Sequence, residues 1–267
     1  MRLALATALT LISPPALAQD MGAPLPCGLG IVERPAPLVH RASVVRTQAK
    51  AGSVRVVFVG HSTFTLETTE GAMAATDYNG FDVPRRKPDI VTMNNAHSSH
   101  YTDYVDPGIP HVLRGWDPKG GIARHHVKVK DMRVYNLPTN IFNFGSGARN
   151  GNSVFVFEAA GLCFAHLGHL HHYLSEEEVH RLGRIDVLFA PVDGSSTMSH
   201  EELFHVIGQI KPKLLLPMHL TFGGPHVFAA RARQFYPVKF HDGSTLDVTH
   251  AMLPQETEVL FLREGGF

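Results

Sequence analysis

"DIVTMNNAHSSHYTDY", residues 89–104, runs from an apolar stretch into a polar loop that carries two histidines three apart. Ile90 to Met93 is short, apolar and preceded by Pro88-Asp89, the pattern of a buried strand. A strand ending this way sets Asn95, His97, Ser99 and His100 where the chain leaves a sheet. Two later stretches repeat the pattern: "GLCFAHLGHLHH" (161–172) and "KLLLPMHL" (213–220). One histidine at a strand end is ordinarily a satisfied surface or core residue. Three such ends, bringing His97, His100, His166, His169 and His219, can converge over one sheet edge, as a metal site requires.

The rest of the chain supplies the sheets. "SVRVVFVG" (53–60), "TFTLET" (63–68), "GAMAATD" (71–77), "HVLRGW" (111–116) and "HHVKVKDMRVYNLP" (125–138) are strand-like runs bounded by Gly, Asp or Pro. The Gly/Asn-rich "NFGSGARNGN" marks a break, after which "SVFVFEA" and "GLCFAHLG" form a hairpin about Ala160-Gly161. "LSEEEVHRLGRI" (174–185) is a helix with Ser175 as cap and Glu178 as its capping-box partner. "DVLFAPVD" (186–193) is a buried strand. "TMSHEELFHVIGQIKP" is a helix capped near Thr197 or Ser199, and "PHVFAARARQFYP" another. Strands dominate the first half and strand–helix alternation the second, which describes a layered α/β (or α+β) domain.

Lys+Arg and Asp+Glu both total 24, so the net charge is zero. No basic excess points to nucleic acid or an anionic membrane, and a small-molecule substrate is the expected partner. The 18 histidines raise the weight of a metal site without locating it. "MRLALATALTLISPPALAQD" has one Arg, an apolar core and an A-x-A-type end, so a signal peptide over 1–18 is expected, with cleavage after Ala18. It is too short to span a bilayer. The mature chain is expected in the periplasm or secreted, with an extended lead-in over 19–52 and one domain over 53–267. Cys27 and Cys163 are expected as free thiols, the second behaving as a small hydrophobe within a strand.

In their order, "GHSTF" (60–64), Asp77, the loop at 89–100, "GNSVFVFEAAGLCFAHLGHL", "PVDGSST" and "LLPMHL" resemble the metallo-β-lactamase superfamily. The likeness is to its branch of ascorbate-lactone hydrolases and phospholipase D-type enzymes acting on N-acylethanolamine phospholipids. The resemblance covers about 53–263 and implies an αββα sandwich with the site along one edge of its two sheets. It also implies an H-x-H-x-D-H motif, which falls on Asn95, His97, Ser99 and His100. An alternative register keeps Asp103 as the motif's Asp but sets Ser99, Tyr101 and Tyr104 where histidines belong. The next histidine of the family matches His166, the bridging Asp matches His169, and the last histidine matches His219.

On that mapping a first metal position keeps His97 and His166 beside a neutral Asn95. The second loses its Asp to Ser99 and is left with His100, His169 and His219. Three imidazoles and an open place suit zinc. Without a bridging carboxylate two dications would repel strongly, so one ion is expected, at the three-histidine position. Ser99, Tyr101 and His61, with His171 as a further choice, are the candidates for moving a proton. His61 is expected first as a hydrogen-bonding support beneath the site, and Asp77 either fixes a loop or touches metal. Metal-bound water attacking an ester, lactone, amide or phosphodiester is the leading function; a non-catalytic relative that binds metal or a small ligand is the alternative.

Overall fold

The computed structural model describes residues 24–29, 49–95, 97–143, 146–220 and 224–265. The leader expected at 1–18 and most of the lead-in lie outside them. In chain order the strands are β1 (Val54–Gly60), β2 (Thr63–Glu67), β3 (Met73–Ala75), β4 (Ile90–Met93), β5 (His111–Arg114), β6 (His126–Val129), β7 (Met132–Asn143), β8 (Ser146–Ala159) and β9 (Leu162–His166). Then follow α1 (Glu176–Leu182), β10 (Val187–Pro191), α2 (His200–Ile210), β11 (Leu214–Met218), α3 (Gly224–Ala232), β12 (Val238–Phe240), β13 (Thr245–Val248) and β14 (Glu258–Phe261).

Two mixed sheets stack on each other: six strands in the order β13-β1-β2-β3-β4-β5, and eight in the order β12-β14-β11-β10-β9-β8-β7-β6. Between them lies an aromatic core, with Phe58 and Phe64 from the first sheet and Phe155, Phe157, Phe164 and Phe189 from the second. The alternation of a strand divides β9 between two cores. Leu162 and Phe164 face the first sheet, while Cys163 and Ala165 face Leu182, Leu203 and Phe228 of the three helices. Burial on both faces explains why β9, β10 and β11 are apolar throughout. β9, β10 and β11 run parallel, so their C-terminal ends open on the same edge. This is the α/β sandwich that the motif order implied.

Both helix starts follow from local chemistry. Ser175 Oγ accepts from Glu178 N while Glu178 reaches back to the Ser175 N–H, and Ser199 with Glu202 does the same for α2. Other expectations need correction. The run 125–138 is two strands that turn at Lys130, where φ is +51°. The Gly/Asn-rich stretch is no break: β7 and β8 make one long hairpin, with Ile141 opposite Ala148 and Thr139 opposite Asn152. Cross-strand pairing there overrides poor intrinsic strand propensity.

The cysteines are also corrected. Cys27 and Cys163, 136 residues apart, are joined in a disulfide with their Cα atoms 6.0 Å apart. The segment around Cys27 is not loose. It pairs with Gly183 at the end of α1, Arg184 N donates to Cys27 O, and Cys27 N donates to Tyr135 Oη.

Candidate metal centre

Three histidines meet where strands of both sheets end. His61 lies in the turn between β1 and β2, His100 in the loop after β4, and His219 directly after β11. One nitrogen from each lies within 4.8 Å of the others. The His219 N–H donates to His61 O (2.9 Å), and the two rings stack with centroids 4.2 Å apart. The His100 ring is 4.9 Å from that of His219 and 5.7 Å from that of His61. His61, His219 and the neighbouring Asp77 have φ of +51°, +58° and +42°, a left-handed conformation that costs non-glycine residues energy.

Two of the rings are held from behind by carboxylates. His100 Nδ1 is 2.6 Å from Asp77 Oδ2, both wholly buried, and His219 Nδ1 is 3.2 Å from Asp193 Oδ2. Burial alone would raise the Asp77 pKa. The His100 and His166 rings beside it, with the Asn94 N–H, outweigh that and hold it at about 2. Asp193 is likewise held low: burial is outweighed by the bond from His219 and the Ser195 N–H. An ionised carboxylate only accepts, so both rings donate from Nδ1. That leaves Nε2 of His100 and His219, and Nε2 of His61, buried without a partner among the described residues. Buried polar atoms are nearly always paired. Burial, then the neighbouring His219 and His100, push the His61 pKa down to about 4, keeping its ring neutral at ordinary pH. Two ring nitrogens with unused lone pairs, clustered with the neutral ring of His61, fit a cation of borderline softness.

Residues 55–219 match the model of the β-lactamase superfamily domain. The chain belongs to the metallo-β-lactamase superfamily. It is 23% identical over 195 residues to a UPF0173 metal-dependent hydrolase of Pyrococcus furiosus, a match covering 64% of this chain and 87% of that one. A relative of the same description from Carboxydothermus hydrogenoformans is 23% identical over 191 residues, covering 62% and 84%. Among solved structures, a superfamily protein of Thermotoga maritima superposes with a TM-score of 0.60 at 24% identity, over 79% of this chain and all (100%) of the other. A metallo hydrolase of Ignicoccus hospitalis gives 0.52 at 18% identity, over 80% and 97%. At these identities the structural likeness carries the fold alone.

The superfamily motif residues take varied places. His169 flanks the cluster, its ring 5.0 Å from that of His100, and its Nδ1 is 2.6 Å from His171 Nε2. Burial, followed by His100 and His171, lowers its pKa to about 3. His97 is exposed, with Nδ1 2.9 Å from Ser99 Oγ and its ring 5.9 Å from that of His100. His166 is wholly buried, and backbone takes both its ring nitrogens: Nε2 lies 2.9 Å from Ser62 O, and Nδ1 accepts from Gly168 N. Asn95 forms a backbone bridge with Asn152. Ser99 O accepts from Asn79 Nδ2. Tyr101 stands edge-on to Trp116, packed with it over Val91 and Met93. Asp77 orients His100 and, through Oδ1, holds Asn94 N.

His61, expected as a support, thus stands inside the cluster, and Asp193 was not singled out at all. The available signal was an Asp directly after an apolar strand in "DVLFAPVD", followed by Gly-Ser-Ser-Thr. Asn152 is buried in β8, where its side chain accepts from His169 N and donates to Leu167 O and Thr139 Oγ1. Gly168 between the two motif histidines has φ +58°, and a Cβ there would lie 2.3 Å from Asn94 Cβ. Only glycine lets the chain turn so close to that asparagine.

Proposed function

We propose that this chain is an exported metal-dependent hydrolase in which His61, His100 and His219 hold one divalent ion. The three buried Nε2 atoms, without a partner among the described residues, carry this reading. Neutral imidazoles in this number suit Zn²⁺ with a fourth place left for water or substrate. Bound there, the ion supplies Lewis acidity, polarising an acyl or phosphoryl oxygen and making water a stronger acid. The substrate class is a small-molecule ester, lactone, amide or phosphodiester. Asp77 and Asp193 offset positive charge from behind the rings. His169, linked to His171 and kept neutral, stands beside His100 at the rim of the cluster. Ser99 can hydrogen-bond but cannot act as a base at neutral pH.

The names borne by the Pyrococcus and Carboxydothermus relatives support the hydrolase reading. The apolar leader and the buried disulfide support export, because such bonds persist in oxidising compartments. No helix among the described residues is long and apolar enough to cross a membrane. Elemental analysis of the purified mature protein is expected to give about one zinc per chain. A chain that holds no metal, or two ions that survive dialysis, would overturn the assignment.

A non-catalytic metal-binding relative is the second reading. It is favoured by two observations: Asp77 and Asp193 are spent on ring nitrogens, and Ser99 stands where the motif carries Asp. Zinc-loaded protein inert toward a panel of esters, lactones and phosphodiesters would select it.

A further inference from the structure

Asp193 follows β10 by two residues and His219 follows β11 by one. The two strands pair in parallel with Pro191 opposite Met218, and Val192 N donates to Met218 O. That register delivers carboxylate and ring side by side from distant parts of the chain. The side chains of His219 and Asp193 are 6% and 1% exposed. The carboxylate is itself immobilised. Oδ1 accepts from the N–H groups of Ser195, Ser196 and Thr197 at 3.0, 2.6 and 3.2 Å. Oδ2 takes the Thr197 hydroxyl at 2.9 Å and His219 Nδ1 at 3.2 Å.

The backbone amides of the 195–197 turn need Oδ1 only. Oδ2 is shared between a hydroxyl and the ring, and Asp77 is built the same way, with one oxygen on Asn94 N and the other on His100 Nδ1. Two carboxylates from unrelated segments thus repeat one arrangement, each behind a ring whose Nε2 has no partner among the described residues.

We propose that Asp193 is a positioning residue for the metal ion: by accepting from His219 Nδ1 it fixes the tautomer in which Nε2 keeps its lone pair, and aims that nitrogen at the shared site. The inference rests on the metal-centre reading above. A neutral imidazole has one ring proton, and the group behind the ring decides which nitrogen carries it. In D193N the side chain is nearly isosteric, and its oxygen can go on serving the 195–197 amides. Its NH₂ then faces His219, whose Nδ1 must accept, so the ring proton moves to Nε2 and blocks donation to an ion.

The test measures zinc affinity by chelator competition in wild type, D193N and Thr197→Val, with ¹⁵N shifts of the histidine rings in metal-free protein. D193N is expected to bind zinc about 10- to 100-fold more weakly, the loss typical when such a partner is removed, with the His219 proton at Nε2. Thr197→Val keeps the carboxylate but frees one anchor, and is expected to lose a smaller, several-fold amount. A purely structural Asp193 would lower the melting temperature without moving affinity or ring shifts, and that result overturns the proposal. Should D193N fail to fold, Thr197→Val decides: folded protein with unaltered affinity and unaltered His219 shifts overturns it too. Wild type that takes up no zinc would refute the metal-centre reading instead. That outcome removes the ion Asp193 would serve, whereas a His219 proton found on Nε2 in metal-free wild type that does bind zinc would overturn the proposal for Asp193 alone.

Discussion

Strand β9 serves two buried polar clusters built on opposite rules. Around Cys163 the polar groups are satisfied: Cys163 N donates to Asp186 Oδ2, Cys27 N to Tyr135 Oη, and Tyr135 Oη to Leu182 O, all at 2.8–2.9 Å around the disulfide. Three residues on, the strand ends beneath the histidine cluster. There three ring nitrogens are buried with no partner among the described residues, and His61, Asp77 and His219 hold left-handed backbone. A buried group without a partner costs about 1–3 kcal/mol, as does each strained backbone position. The clasp therefore adds stability that the site consumes, and the site's cost is recovered only by what it binds. Substitutions should separate along that line: clasp variants lose stability and keep metal, while site variants lose metal and keep stability.

The largest effect is expected at the disulfide. Replacing Cys27 and Cys163 together by Ala reopens a loop spanning 136 residues in the unfolded chain. The expected loss is about 2–5 kcal/mol. It would be read from denaturant midpoints, with reductant reproducing the effect on wild type and leaving the double variant unmoved. Metal content should not change. A double variant that loses its metal would mean that the two clusters are coupled, and the contrast would fail.

Tyr135→Phe probes the same clasp with the covalent bond intact. The phenol is pushed up to about 12 by burial, so it stays protonated, accepting from Cys27 N and donating to Leu182 O. Phenylalanine fills the same space and strands both backbone groups, at a cost of about 1–3 kcal/mol. A loss near zero would show that water or a shifted backbone satisfies them.

The two clusters were unequally legible in the sequence. His100 and His219 follow short apolar runs, and a buried strand announces where its polar end must fall. The first two helix starts were marked by Ser175 with Glu178 and by Thr197 or Ser199, because a cap is a local device. His61 and His166 exchanged roles for a reason that periodicity does not record. A turn residue at φ +51° carries the His61 ring into the cluster, while the register of β9 sets His166 against Ser62 O. The Cys27–Cys163 pairing and the approach of Asp193 to His219 depend on tertiary closure over long separations. The residues were visible, but their proximity was not.

The smallest expected effect discriminates most sharply. In metal-free protein His61 Nε2 has no partner among the described residues, so His61→Ala is expected to lose chiefly the ring stacked on His219. The net change is expected to be within about 1 kcal/mol, because relief of an orphaned nitrogen offsets the lost packing. Zinc-loaded protein should instead lose most of its metal-dependent rise in melting temperature, since that rise scales with affinity. The variant should also change the response to acid. With His61 held down to about 4 from an ordinary 6.5, the unfolded chain takes up this proton first as pH falls. Its effect on wild-type stability is absent above about pH 6.5 and grows as a loss down to about 4, so stability rises with pH across that window. His61→Ala should flatten that slope, leaving the part that belongs to the other lowered histidines, His97, His166 and His169. Urea titrations of metal-free protein at a series of pH values would measure both quantities. A large loss at neutral pH, or an unchanged slope, would mean that His61 is as well satisfied as the residues of the clasp, and the distinction between the clusters would then rest on His100 and His219 alone.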